Sequence, residues 1–195
     1  NWNIHPSPVL TIGEKGSYDA KQAETPIVIK SNGKYEMWYS ASQDWLLYPY
    51  QIGHATSSDG INWVKDTKNP VIKNGQSPTS WNKDGTLEPM VIKENEIYKM
   101  WFTGVSIDTS NKLHFQVGYA TSFDGSNWIS HNNNPILDLC TAEFDELSNS
   151  AFFVLNNGQY YELWYYGGEC QDIYAISKDG INWQKSKIIK LNKGE

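Results

Sequence analysis

Residues 89–135 read PMVIKENEIYKMWFTGVSIDTSNKLHFQVGYATSFDGSNWISHNNNP. The same string stands earlier as PIVIK (26–30), SNGK (31–34), YEMWYSA (35–41), IGHATSSDGINW (52–63) and NPVIK (69–73). A looser copy follows as AFFVL (151–155), NNGQ, YYELWYYGG (160–168), IYAISKDGINW (173–183) and SKIIKL. Trp38, Trp101 and Trp164 are spaced 63 residues apart. Trp63 and Trp128 are 65 apart, and Trp128 and Trp183 are 55 apart, where the third copy has a shorter loop. Trp2, in NWNIHPSPVL, reads as the stump of a further copy whose beginning is missing. A period of this length points to a repeat architecture.

Each repeat holds four short runs rich in Ile, Val, Tyr, Trp and Thr, which suit a pleated, half-buried surface. Asn32-Gly33, and Asp59-Gly60 with its counterparts Asp124-Gly125 and Asp179-Gly180, are hairpin signals because these residues tolerate positive φ. No window keeps a helical period, so the chain reads as all-β. Four antiparallel strands per repeat predict one blade of a β-propeller, at the long end of blade lengths. A sandwich is the alternative, but it has no need of one string three times.

The predicted unit is a single partial propeller over 1–195, with blades at about 14–72, 73–137 and 138–191 and residues 1–13 ending a preceding blade. Naming the strands of a blade A to D from the channel outward puts the D-to-A and B-to-C connections on one rim. The long, chemically varied loops fall there. Propellers close with about four to eight blades. Three blades therefore belong either to a longer propeller or to a half-ring that a second copy completes as a six-bladed homodimer, which also removes exposed edges.

A net charge of −6 with no basic run argues against nucleic acid and anionic membrane as partners. No apolar stretch approaches twenty residues. His5, His54, His114 and His131 lack metal-ligand spacing, and GxSxG, HExxH and phosphate-cradling glycine loops are absent from the sequence. Cys140 and Cys170 fall in loops on the same rim of blade three; a disulfide between them would imply an exported protein, and two free thiols is the other reading. The aromatic–polar pairs Tyr18-Asp19, Trp81-Asn82 and Phe144-Asp145 read as latches, the ring packing between blades and the polar group capping a turn.

Two carboxylates stand out. Glu24 (in Glu24-Thr25-Pro26) and Glu88 (in Glu88-Pro89) sit where inner strands open onto the channel, and Asn149 and Ser150 hold the matching place in blade three. Crowded carboxylates can split into an acid and a base, although solvated loop residues before a proline would look the same. The unmatched loop 43–50 brings Asp44, Trp45, Tyr48 and Tyr50 to the same rim. Its rings suit stacking on a sugar face or packing beneath the loop. The blade-two loop, Val105 to Gln116, brings Asp108 and His114 to flank the site.

The strings PxVIK-x-x-G-x-Y-x-MWY and IGYATS-x-DG-x-NW resemble the five-bladed propeller glycosidases of the arabinanase, β-xylosidase, invertase and levansucrase superfamily, over essentially the whole chain. The resemblance implies saccharide chemistry with a catalytic base, an auxiliary acid and a general-acid Glu at successive inner-strand starts. Glu24 fits the Glu-x-Pro position, and Glu88 stands where an Asp directly before Pro is expected. The chain departs from the pattern in lacking that Asp, a third carboxylate and about two blades. Neither a resident cofactor nor a transition metal is expected; a calcium or sodium ion in the channel would be compatible with the fold. A saccharide-binding or protein-interaction propeller without catalysis is the alternative reading.

Overall fold

The computed structural model describes residues 3–44, 49–143, 152–167 and 170–186. Thirteen strands run through them, with no helix among the described residues. Blade one is β1 (Gln22–Ser31), β2 (Lys34–Ser42), β3 (Tyr50–Ser57) and β4 (Val64–Lys65). Blade two is β5 (Gly85–Glu94), β6 (Ile97–Ile107), β7 (Lys112–Ser122) and β8 (Ile129–Ser130). After β9 (Leu137–Glu143), blade three is β10 (Phe152–Asn156), β11 (Tyr161–Gly167), β12 (Cys170–Ser177) and β13 (Gln184–Ser186). Within each blade consecutive strands pair antiparallel. The inner strand β1 touches β5, and β5 touches β10, so the three sheets stand side by side with their first strands together. Blades one and two also join through one parallel pair, Tyr50 with Gly85. The molecule is an all-β propeller segment.

Local chemistry accounts for the turns. Asn32 and Gly33 carry φ of 51° and 77° between the paired Ser31 and Lys34, the two-residue turn whose twist matches a hairpin. The outer turn is built three times from one set of bonds. In blade two, Ser122 Oγ accepts the amides of Asp124 and Gly125 and donates to Asp124 Oδ1. Asp124 Oδ1 also accepts the amides of Ser126 and Asn127. Ser57 with Asp59, and Ser177 with Asp179, do the same. The backbone amide of Asn127 leads these donors in holding the Asp124 carboxyl well below its ordinary range, against an opposing effect of burial. A carboxyl lowered on folding stabilises the chain above its unfolded pKa of about 3.9, and that contribution is lost as pH falls through the folded value. Asp124→Asn should therefore cost about 1 kcal/mol at pH 7 in urea denaturation, with the gap to wild type narrowing as pH falls below about 4.

The seams between blades are aromatic. Trp38 and Trp101 are fully buried, and each donates its indole N–H to a glycine carbonyl in the next blade's outer turn: Gly125 at 2.9 Å and Gly180 at 2.7 Å. His54 stacks on Trp38 at 5.0 Å, and its Nδ1 meets Asp66 Oδ2 at 3.0 Å. Ser126 of blade two donates to that same carboxylate and approaches the same ring nitrogen. A Ser–His–Asp set converging on one nitrogen forms no relay, and it clasps the seam.

Four sequence expectations change here. The fourth strands are only two or three residues long, because the Ser-x-Asp-Gly turn occupies the residues just before them; such short edges resist outside pairing. Residues 3–13 form no strand; instead Leu10 packs against blade one. The expected loop Val105 to Gln116 is a continuation of the β6–β7 hairpin, turning at 108–111, because Val105, Leu113, Phe115 and Val117 alternate into the core. Cys140 lies in β9, which pairs with β7, and Cys170 opens β12, so both lie in strands. Their side chains, like the Phe144-Asp145 pair, lie outside the described residues.

Candidate active site

The two inner strands β1 and β5 break in the same way. In β1 the ladder passes from Glu24 opposite Ser40 to Ile27 opposite Trp38, leaving Thr25 and Pro26 as a bulge. In β5 it passes from Leu87 opposite Thr103 to Met90 opposite Trp101, leaving Glu88 and Pro89. Proline has no N–H for the ladder, so a bulge is where a strand can hold it. The residue before each proline takes up the turn in the left-handed region: Thr25 at φ 45° and Glu88 at φ 52°. Backbone of this kind costs about 1–3 kcal/mol per residue and gathers at functional sites. Thr25 and Glu88 are thus the structural equivalents, and Glu24 stands one residue earlier in its strand.

Hydroxyls on the second strands tie these positions together. Ser40 and Thr103 hold equivalent places, both fully buried. Ser40 Oγ lies 2.5 Å from Thr25 Oγ1 and accepts the Glu88 amide at 2.8 Å, bridging the two blades. Thr103 Oγ1 donates to Glu88 Oε2 at 2.8 Å. Glu24 is exposed, and its Oε1 accepts the Tyr50 hydroxyl at 2.7 Å. Glu88 is half-buried. Ser40 is thus the strand partner of Glu24 and the hydrogen-bond partner of the Glu88 backbone amide, so one residue joins the two bulged strand starts that carry the carboxylates.

The other candidates divide. Tyr50 is buried and presents no face for sugar stacking; its hydroxyl instead orients Glu24. Asp44 is exposed just past β2, its amide bonded to Ser42 Oγ at 3.1 Å. His114 pairs with Asp108 at 2.9 Å near the tip of the β6–β7 hairpin, which draws the Asp108 carboxyl down to about 2. Three residues along β6 separate its partner Ser106 from Thr103, so His114 stands roughly 10 Å beyond the Glu88 level. Trp45, Tyr48, Asn149 and Ser150 lie outside the described residues. Among the described residues, no three of His, Cys, Asp and Glu cluster as a metal site.

The sequence reading overlooked Ser40 and Thr103. Their signal was present: a single hydroxyl residue at one repeat position inside the apolar runs MWYSA and MWFTG.

The fold is that of the five-bladed β-propeller glycosidases. Zg3597, a family 117 glycoside hydrolase from the marine bacterium Zobellia galactanivorans, superposes with a TM-score of 0.75 at 17% identity, over 93% of this chain and 50% of that one. In sequence, the chain is 25% identical over 190 residues to a 1,2-beta-oligomannan phosphorylase of Thermoanaerobacter sp. (strain X514), covering 93% of this chain and 58% of the relative. It is 26% identical over 135 residues to a beta-1,2-mannobiose phosphorylase of the same organism, covering 64% of this chain and 43% of the relative. No family model matches the sequence. The chain spans about half the length of the relatives it matches.

Proposed function

We propose that this chain supplies the inner-strand carboxylates of a propeller that cleaves β-linked mannosides, by phosphorolysis or hydrolysis. The observation that carries this reading is the pair Glu24 and Glu88 at two adjoining bulged strand starts that Ser40 joins, the first carboxylate held by Tyr50 and the second by Thr103. The substrate class is carried over from the two phosphorylase relatives.

Glu24 is the proposed general acid. It is exposed to the rim where a glycosidic oxygen would arrive, and Tyr50 holds one carboxyl oxygen so that the other can present a proton. Glu88 is the proposed second carboxylate. Thr103 and the Ser40-bound amide fix it, so that it can orient the nucleophile or take its proton. Water attacking the anomeric carbon must lose a proton to a base, whereas phosphate arrives already anionic. Glu88 is therefore more important for hydrolysis than for phosphorolysis under this assignment.

The test is a panel of β-1,2-mannobiose and longer oligomannosides, with and without inorganic phosphate, read by product release. Mannose 1-phosphate formed only with phosphate identifies phosphorolysis, and free mannose identifies hydrolysis. Tyr50→Phe should lower turnover about tenfold with little change in melting, because it removes one hydrogen bond at an exposed carboxylate. A second reading has its own support: blade three offers Asn149 and Ser150 at the matching sequence positions and no carboxylate. Under that reading the propeller binds saccharide without cleaving it. Calorimetric binding of the same oligomannosides with no product at any phosphate concentration would select it.

A further inference from the structure

We propose that blade two carries a second binding site on its outer edge, a pocket for one neutral sugar ring, separate from the candidate active site. The pocket has a volume of about 250 Å³ and is lined by Tyr119 and Thr121 of β7, Ile129 and Ser130 of β8, and His131 and Asn132 just beyond. Binding pockets for drug-sized ligands run from about 300 to 1,000 Å³, so this one takes a single ring rather than a chain. It lies on the third and fourth strands of the blade, two strand spacings or about 10 Å outward from the strand that holds Glu88. Blade two has a neighbour on both sides, and the outer edge of a propeller blade faces solvent in a closed ring as well.

The repeat shows why the pocket exists. Residues 54, 56 and 64–67 of blade one stand where 119, 121 and 129–132 stand in blade two. In blade one the polar groups there satisfy one another. His54 Nδ1 meets Asp66 Oδ2 at 3.0 Å, Ser126 of the next blade donates to the same carboxylate, and Lys65 pairs with Asp19. Blade two replaces each of them. Tyr119 takes the place of His54, Ser130 of Lys65 and His131 of Asp66, and the next blade offers Ile181 in the place of Ser126. Ile181 packs into the apolar seam instead, so no clasp forms, and Tyr119 and His131 meet only edge to face at 6.2 Å.

What is left is a set of hydrogen-bonding groups with capacity unspent. Tyr119 is 5% exposed, and its hydroxyl has no hydrogen bond among the described residues. Burial pushes that phenol up to about 12, so it remains a donor at neutral pH. A buried hydroxyl costs free energy until a partner arrives. His131 Nδ1 accepts the Asn133 amide at 3.2 Å, which puts the ring proton on Nε2 as a second donor. The hydroxyls of Thr121 and Ser130 and the carboxamide of Asn132 have no hydrogen bond among the described residues either. Ile129, 68% exposed, supplies an apolar wall. Among the described residues, neither a carboxylate nor a lysine lines the pocket. Hydroxyls, an amide and an imidazole beside an apolar patch match an uncharged ligand that carries several hydroxyls on an apolar ring. The site stands on its own lining and does not rest on the proposed activity.

Titration of the isotope-labelled chain with methyl β-D-mannopyranoside and with methyl β-D-glucopyranoside reads the site through backbone amide shifts. At least one of the two sugars should move the amides of Thr121, Ser130 and Asn132 and saturate with a Kd of about 1–10 mM. Tyr119→Phe keeps the ring against Trp101, 5.3 Å away, and should weaken that binding about tenfold. Asn132→Ala changes an exposed residue and should weaken it about fivefold with the fold intact. No shift at these amides with either sugar at about 50 mM, shifts with inorganic phosphate in place of sugar, or binding indifferent to both variants would each overturn the proposal. Pocket shifts in a chain that leaves oligomannosides uncleaved support the site and count against the proposed cleavage. Cleavage with no pocket shift does the reverse.

Discussion

Glu24→Gln should lower oligomannoside turnover about a thousandfold while leaving the melting temperature within a degree or two. A positioned general acid contributes roughly 10²–10⁴ in rate, and an amide cannot supply its proton. Glu24 is exposed and bonded through one oxygen to Tyr50, which an amide oxygen can still accept, so the fold has little to lose. Glu88→Gln tests the other half of the assignment through a ratio. If Glu88 takes a proton from water, the variant should lose hydrolysis about a thousandfold and phosphorolysis far less, because phosphate needs no base. Glu88 is half-buried at φ 52° and accepts from Thr103, so a loss of about 1 kcal/mol in stability accompanies the change. Equal losses on both acceptors would assign Glu88 to orienting the sugar. Wild-type turnover in the double variant would remove both residues from the chemistry.

Much of this arrangement was legible in the sequence, because the repeats place like residues at like stations. The Asp-Gly turns, the A–B hairpins and the two carboxylates at the inner-strand starts all follow from spacing. What was not legible depends on pairing register. Thr25 and Glu88 are equivalent only because both strands bulge at the same point, and the prolines mark the bulge without saying which neighbour turns left-handed. Tyr50 looked like a stacking platform because it follows a loop rich in rings. Register turns it inward opposite Ser42, beside Glu24. The stretch 105–116 read as a loop because Asp108, Ser110 and Asn111 dilute its alternation, yet four apolar residues suffice to carry the hairpin on. Of the latches, Tyr18 and Trp81 do pack as rings, but Asp19 is a buried carboxylate paired with Lys65 at 2.5 Å, a partnership 46 residues long that no local pattern announces.

Gly104→Ala should be among the most damaging single-methyl changes in this chain, at about 3 kcal/mol or more. Trp81 lies flat on two glycines of adjacent strands and stacks on Phe102 at 5.9 Å. A Cβ at Gly118 would stand 2.6 Å from Trp81 Cη2, and one at Gly104 would overlap the ring still more. A flat ring wedged between strand and linker cannot step aside, so the linker must move. That linker enters β5, and Asn82 beside Trp81 donates to Thr86, two residues before the Glu88 bulge. Blade one shows the compensated version: Ala41 stands at the Gly104 position, and the smaller Tyr18 replaces Trp81, bonding Tyr39 through its hydroxyl at 2.5 Å. Gly104→Ala combined with Trp81→Tyr should therefore recover more than half of the loss, an interaction energy expected only of residues in contact. Gly16→Ala is the control: it has φ 96° and open space around it, so it should cost only about 1 kcal/mol, through backbone strain alone. If the double variant were no more stable than Gly104→Ala alone, the ring-on-glycine account of the seam would be wrong.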